Sequence, residues 1–392
     1  AVAAVWRRRR RHGGSAAAAP CCVASAGSGA STAVAAAAAV ERRAVPRVRT
    51  KDADASWRSQ WVPQFGQRRK AKQPAPSLTL LEDSGQLSSL NMGFVFLKPH
   101  ANLASVREFI RKRLSQAGVR VVAEGSVAAE EILERRIIDV HYGSLAAKAL
   151  DQQPQDHVVQ PEAEARFQAA FGLSWREALA SGSVCNASEA MRRLGCDADE
   201  LDVRWTPLQI GEGKVKMGGG FYCGRIEGLY VINGFYMAMR SVYTAPNRSI
   251  TWFNVEWSSA DLCWQEFRTG LLGDTDPARA SGSSLRGAVH RRWRELGLPA
   301  EPQVGDNVVH ASASPFEALL ERTNWTGVPL SQDPFGRALL DRGIPEATLR
   351  YWATDPVVTH SGKRSSLFDL LEHLDSKNCL EHVLAVQEAT SQ

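Results

Sequence analysis

No run of eighteen apolar residues occurs outside an Ala-rich leader, so the sequence offers no helix expected to cross a bilayer. Cysteine is sparse. The seven, at positions 21, 22, 185, 196, 223, 263 and 379, are odd in number and lack the paired spacing of a disulfide framework or a zinc site, so reduced thiols are expected. Acidic residues are nearly missing from the first fifty, where Glu41 alone stands against nine Arg. That segment carries +8, while the remainder, with 38 basic and 41 acidic residues, nets −3. The body of the chain therefore has no excess positive charge with which to track a phosphate backbone, and nucleic-acid binding is not expected despite the overall +5. Asn186, Asn247 and Asn324 each begin an Asn-x-Ser/Thr triplet, read as chance occurrences.

What is present is the composition of a globular protein, 44% hydrophobic and 23% charged over 392 residues. Residues 1–50, with the Arg7–Arg11 cluster followed by Ala, Ser and Gly, have the composition of an organelle transit peptide, plastid or mitochondrial, and are not expected to pack. Residues 51–90 stay polar and read as a linker or extension. Met92–Leu97 suits a buried strand; Val106, Phe109, Ile110 and Leu114 repeat at helical spacing before Gly118; Val119–Ala123 reads as a second strand, giving a β-α-β unit. A single helix is predicted from Ala128 to about Tyr142. Residues 143–245 look like an insertion, helical around 167–179 and 187–194, with a core strand predicted over Gly228–Met239. Ile250–Trp257 alternates as a strand, and residues 326–392 form a helical extension with amphipathic patterns at 333–340 and 366–371. The stretch Gly211-Glu212-Gly213-Lys214 is not a phosphate-cradling P-loop, since Val215 follows the Lys, and together with Gly218–Gly220 it reads as a hairpin connection.

The residues that carry chemistry lie in three stretches: Lys98-Pro99 after the first strand; Gly273-Asp274-Thr275-Asp276-Pro277 with Arg286-Gly287; and Asn307 to Glu321. An imidazole that is neutral near pH 7 attacks phosphorus without first losing a proton, provided an acceptor holds its other ring nitrogen. His310 is the candidate nucleophile. A helix follows it, announced by Ser314-Pro315-Phe316-Glu317. Phosphoryl transfer further needs cations on the phosphate oxygens, for which Lys98 and Arg286 stand ready.

With Thr275 and Arg286 eleven apart, and Asn307 and His310 three apart, the ordered set resembles the nucleoside diphosphate kinase family. The resemblance implies an α/β (α+β) fold, a ferredoxin-like antiparallel sheet sandwich spanning 91–325, interrupted by the insertion. It implies transfer of a γ-phosphate from a nucleoside triphosphate to a diphosphate through phosphohistidine on His310, with Glu321 orienting the ring. By the same resemblance Lys98 bridges sugar and phosphates, Tyr142 places the γ-phosphate, Thr275 and Arg286 contact phosphates, and Asn307 contacts the ribose, with Ser312 beside the nucleophile. Arg268 joins the set if a one-residue bulge absorbs its extra spacing from Gly273. Mg²⁺ would arrive on the nucleotide, with no protein ligand of its own, and a homo-oligomer or larger assembly is expected. Three departures stand out: Ala311 and Ala313 replace the family's Gly and Asp, its base-stacking aromatic has no counterpart after Tyr142, and about eleven residues are added between Arg286 and Asn307. These departures keep a second expectation open, a weak or inactive kinase-like scaffold in an organellar assembly.

Overall fold

In the computed structural model the described residues are 89–391, and all belong to one packed unit. The leader and the linker up to Ser88 lie outside them. The central strand β1 (Leu90–Leu97) is buried on both faces. Its alternation sends Val95 and Leu97 into one core and Phe94 and Phe96 into another. A strand apolar on both sides must sit in the middle of a sheet, and this one does. Around it are α1 (Ala104–Gln116), β2 (Arg120–Ala128), β8 (Ser249–Ser258), α10 (Leu285–Arg292), β9 (Val309–Ala311) and α11 (Pro315–Thr326). The strand order is β2-β8-β1-β9, every neighbour antiparallel. Each helical crossover, β1-α1-β2 and β8-α10-β9, thus spans an intervening strand, which is the ferredoxin-like split β-α-β arrangement. The fold is α+β of that type. Helices α1 and α10 cover the Val95 face. Trp325 of α11 packs on the Phe96 face with α2 (Ala129–Glu134) and α3 (Ile137–Tyr142).

The helix expected over 128–142 is two helices, because Arg136 adopts left-handed φ of 53° and ends the first. Its guanidinium is held there by Asp139 and Asp151. Buried Asp139 also accepts Tyr236 Oη at 2.6 Å and Arg240 Nε at 2.8 Å, which locks α3 to the segment that follows.

Residues 143–245 hold helices and a second sheet of which the strand-like pattern from Phe221 and from Gly228 marked two strands: β3 (Val184–Asn186), β4 (Gln209–Ile210), β5 (Gly213–Gly218), β6 (Phe221–Ile226) and β7 (Leu229–Ile232), in the order β3-β7-β6-β5-β4. The strand expected over Gly228–Met239 stops at Ile232. There Asn233 turns at φ 50° and bonds Tyr222 N, Leu145 O and Gly220 O through its amide, and a helix, α9 (Tyr236–Thr244), follows. A single side chain satisfying three backbone groups fixes the turn against strand continuation. The helix expected over 167–179 is likewise broken, at Gly172, with Ser174 and Glu177 forming a reciprocal cap on the next.

The segment after Gly327 contains α12 (Pro334–Asp341), α13 (Glu346–Trp352), α14 (Leu367–Leu371) and α15 (Ser376–Ser391), and also a hairpin, β10 (Val357–His360) with β11 (Lys363–Ser366), that was not expected. It packs on Phe316 and Leu319 of α11. Polar contacts tie it to the first sheet: Asp375 accepts Asn91 Nδ2 and Trp264 N, Asn91 Oδ1 accepts Ser376 N, and the buried Arg322–Asp333 pair closes at 2.6 Å. Arg322 donates to Met92 O as well, so one side chain spans β1 and the start of α12.

Candidate active site

Strand β9 lies beside β1 with His310 opposite Phe96. Immediately before it Val308 has φ 72°, a conformation costly for a β-branched residue, on the order of 1–3 kcal/mol, and tolerated only where surroundings enforce it. Its carbonyl accepts Lys98 N at 2.9 Å, joining the strained residue to the end of β1. After β9, the Ser314 hydroxyl caps α11 by accepting Glu317 N–H. Two turns of that helix then carry Glu321 back over the strand.

His310 Nε2 and Glu321 Oε1 are 2.7 Å apart. The other carboxylate oxygen accepts Ser312 Oγ at 2.6 Å, and that hydroxyl accepts Phe94 N–H. The imidazole stacks on Phe96 with centroids 4.6 Å apart. Burial lowers the His310 pKa, and Arg268 and Arg286 lower it further against the opposing pull of Glu321, so the ring is neutral at pH 7. Burial alone would raise Glu321, but the bonds from His310 and Ser312 and the proximity of His141 prevail and draw it down to about 2. An ionised carboxylate fixes the proton on Nε2, which leaves the Nδ1 lone pair as the reactive one. Nδ1 takes no hydrogen bond among the described residues.

The cations gather around this dyad. Arg286 is buried, donates from Nε and Nη2 to Val309 O and from Nη1 to Gly273 O, and is lowered to about 9 by burial and by Arg268. Burial and Arg286 also lower Lys98, to about 7, with its ammonium 2.8 Å from Gly305 O. Arg268 donates to Ala311 O, one residue past His310. Its extra residue of spacing is taken up by a π-helical turn, Phe267–Leu272, closed by Gly273 N on Arg268 O. Buried Asn307 donates to Thr275 O at 3.1 Å, while its Oδ1 is enclosed without a partner among the described residues. Such an acceptor waits for a donor.

Lys98, Arg268, Arg286, Asn307, Ser312, His310 and Glu321 therefore converge. Of these only Ser312 bonds the dyad directly, and two further sequence-predicted residues stand apart from the cluster. Thr275 enters through its carbonyl, and the Tyr142 hydroxyl shares a hydrogen bond with Tyr243, with burial raising Tyr142 to about 12. His141, unnoticed in the sequence, comes instead: its Nδ1 lies 3.7 Å from Glu321 Oε1 and its ring meets His310 edge-on at 4.8 Å. Burial and His310 hold it neutral, lowered to about 3. The signal was its place next to Tyr142 on a short helix with the buried pair Ile137 and Ile138. His100 and Asp306, 3.4 Å apart beside Lys98, were also missed.

Fold and site together define a ferredoxin-like α+β protein with a carboxylate-held neutral imidazole on an edge strand, flanked by Arg268 and Arg286 on the carbonyls of the residues either side of it. Among solved structures it is similar to a nucleoside diphosphate kinase from Encephalitozoon cuniculi, at 15% identity over 62% of this chain and 92% of that one, with a TM-score of 0.30. It is also similar to one from Pyrobaculum aerophilum, at 17% identity over 60% of this chain and 95% of that one, with a TM-score of 0.29. No family model and no curated protein matches the sequence. The fold is defined by the strand order itself.

Proposed function

We propose that the protein is a phosphotransferase of nucleoside diphosphate kinase type, moving a γ-phosphate from a nucleoside triphosphate to a diphosphate through His310. The observation that carries this reading is the Glu321 carboxylate on Nε2, with Nδ1 left unbonded and the charges of Arg268 and Arg286 acting on the ring. In the first half-reaction the Nδ1 lone pair attacks the γ-phosphorus, the N–P bond forms, the bond to the β-phosphate oxygen breaks, and the diphosphate leaves. Glu321 stabilises the positive charge that develops on the ring. In the second, a terminal oxygen of the acceptor diphosphate attacks phosphorus and the N–P bond breaks. Lys98 and Arg286 neutralise the phosphate oxygens, and the unpaired Asn307 Oδ1 accepts a ribose hydroxyl. Mg²⁺ would be carried by the nucleotide's phosphates, with Asp306, whose charge acts on Lys98, as the carboxylate that would hold its water shell. Bound there, it would supply further charge neutralisation.

A second reading, a kinase-like scaffold, is favoured by the engagement of Lys98 and Arg286 with backbone carbonyls of the protein itself. Incubation with γ-labelled ATP separates the two. The phosphotransferase yields an acid-labile, base-stable label that passes to an added diphosphate and is lost in His310→Ala. No label on wild type, or equal label on His310→Ala, sinks this reading.

A further inference from the structure

The phosphotransfer reading gives His141 no task, yet it presents a neutral imidazole to the carboxylate that holds His310. One ligand atom from each of His141, His310 and Glu321 lies within 4.8 Å of the other two. The closest pair, His310 Nε2 and Glu321 Oε1, is at 2.7 Å, and His141 Nδ1 is 3.7 Å from the same oxygen. A tetrahedral ion with bonds of about 2.0–2.1 Å sets its ligands roughly 3.3 Å apart, so the three atoms bracket that spacing and reach it by small side-chain adjustments. From these distances we propose that His141, His310 and Glu321 form a three-ligand site for a zinc-class divalent ion, whose occupation switches the His310 nucleophile off.

The surroundings suit such an ion. Ser312 Oγ holds the second carboxylate oxygen, the kind of outer-shell bond that orients metal ligands. Phe96 stacks on the His310 ring and Trp325 packs against His141, an apolar wall that fixes both imidazoles. Two nitrogens and one oxygen select zinc, cobalt or copper over Mg²⁺, which demands oxygen ligands. Three protein ligands leave a fourth position for water.

The switching follows from tautomer chemistry. In the free site the Nε2 proton sits between His310 and Glu321. An ion on Nε2 takes that lone pair, the ring proton moves to Nδ1, and the atom required for attack on phosphorus is capped. No proton is lost overall and no redox partner is needed. This consequence rests on the phosphotransfer reading, whereas the binding itself does not.

The test uses the full chain, stripped with chelator and titrated with Co²⁺ alone in the presence of excess Mg²⁺. Wild type is expected to take up one Co²⁺ with a visible tetrahedral d–d band and no thiolate charge-transfer band, and Zn²⁺ should displace it. In His141→Phe, checked for folding by circular dichroism, affinity should fall more than about 100-fold, since outer-shell losses alone cost about 10- to 100-fold. His141→Gln replaces it should the Phe variant not fold. Zn²⁺ should also suppress phospho-labelling of wild type at concentrations that leave residual labelling of the variant untouched. Absence of the band, a thiolate-type band, or equal uptake by the variant overturns the metal site. A cobalt band in a protein that never labels supports the metal site and sinks the phosphotransfer reading, while labelling without the band does the reverse.

Discussion

The molecule holds two sheets that differ in how densely they cluster buried charge. In the four-stranded sheet and its helices, ionisable groups lie in the interior: Arg286, Glu321, Arg322 and Glu317 are all buried, and burial pushes Glu317 up to about 7. In the five-stranded sheet, the side chain that organises the interior is an uncharged amide, Asn233, with every bond to backbone, and the buried Lys214 on β5 lies over the Trp205 ring, 5.2 Å from its centroid, instead of joining a cluster of charges. Its buried thiols, Cys185 and Cys223, are pushed up by burial, Cys185 to about 11, and are unreactive. Desolvating a charge costs several kcal/mol, roughly, unless it is paired, so a fold does not concentrate charges without use for them. The first sheet accepts that cost around His310, while the second has the economy of a structural element.

The largest test of this contrast is Arg322→Ala, which leaves Asp333 buried without its partner. It should cost about 3–5 kcal/mol in denaturant unfolding, and a loss below about 1 kcal/mol would mean that the charges of the first region are not truly buried. Next is Gly234→Ala in the second region, where a Cβ would meet Trp205 at 2.5 Å. Overpacking there should cost about 1–3 kcal/mol with the rate of phospho-labelling unchanged; a changed rate would join the second sheet to the chemistry.

Glu321→Gln keeps the shape and removes the charge. A fall of about 10- to 100-fold in the labelling rate is expected, with stability altered less than in Arg322→Ala. The smallest effect is on pH dependence. Because Lys98 is lowered to about 7, its ammonium is lost as pH rises through 7, and the KM for nucleoside triphosphate should climb there. Lys98→Arg should abolish the slope. The linkage has the opposite sign for stability: between about 7 and 10.5 the unfolded chain binds the proton and the folded chain does not, so the Lys98 contribution becomes more favourable with rising pH.

The dyad was legible through the family spacing of eleven residues, and that spacing carries over because the arrangement is local. Strand β9, the Ser314 cap and two turns of helix fix how His310 and Glu321 meet, and the eleven-residue spacing encodes all three. The apolar run of β1 and the helical spacing of Val106, Phe109, Ile110 and Leu114 were legible because they too are local. His141 was not, since its arrival depends on the chain break at Arg136 and on Asp139 bridging to Arg240, a hundred residues away in sequence, where no periodicity reaches. Asn233 defeated the strand expected over Gly228–Met239 by side-chain bonding, which a hydrophobicity pattern does not register. Ala313, a departure from the family pattern, has a carbonyl that accepts His373 N, a contact made only when the C-terminal segment folds back.

That segment also sets an order in time. A chain synthesised from its first residue onward exposes Asn91 long before its partner Asp375 exists, 284 residues later. The four-stranded sheet can form its ladder during synthesis, but the polar end of its central strand is satisfied only once Asp375 has been made, and until then the Asn91 amide stays in water.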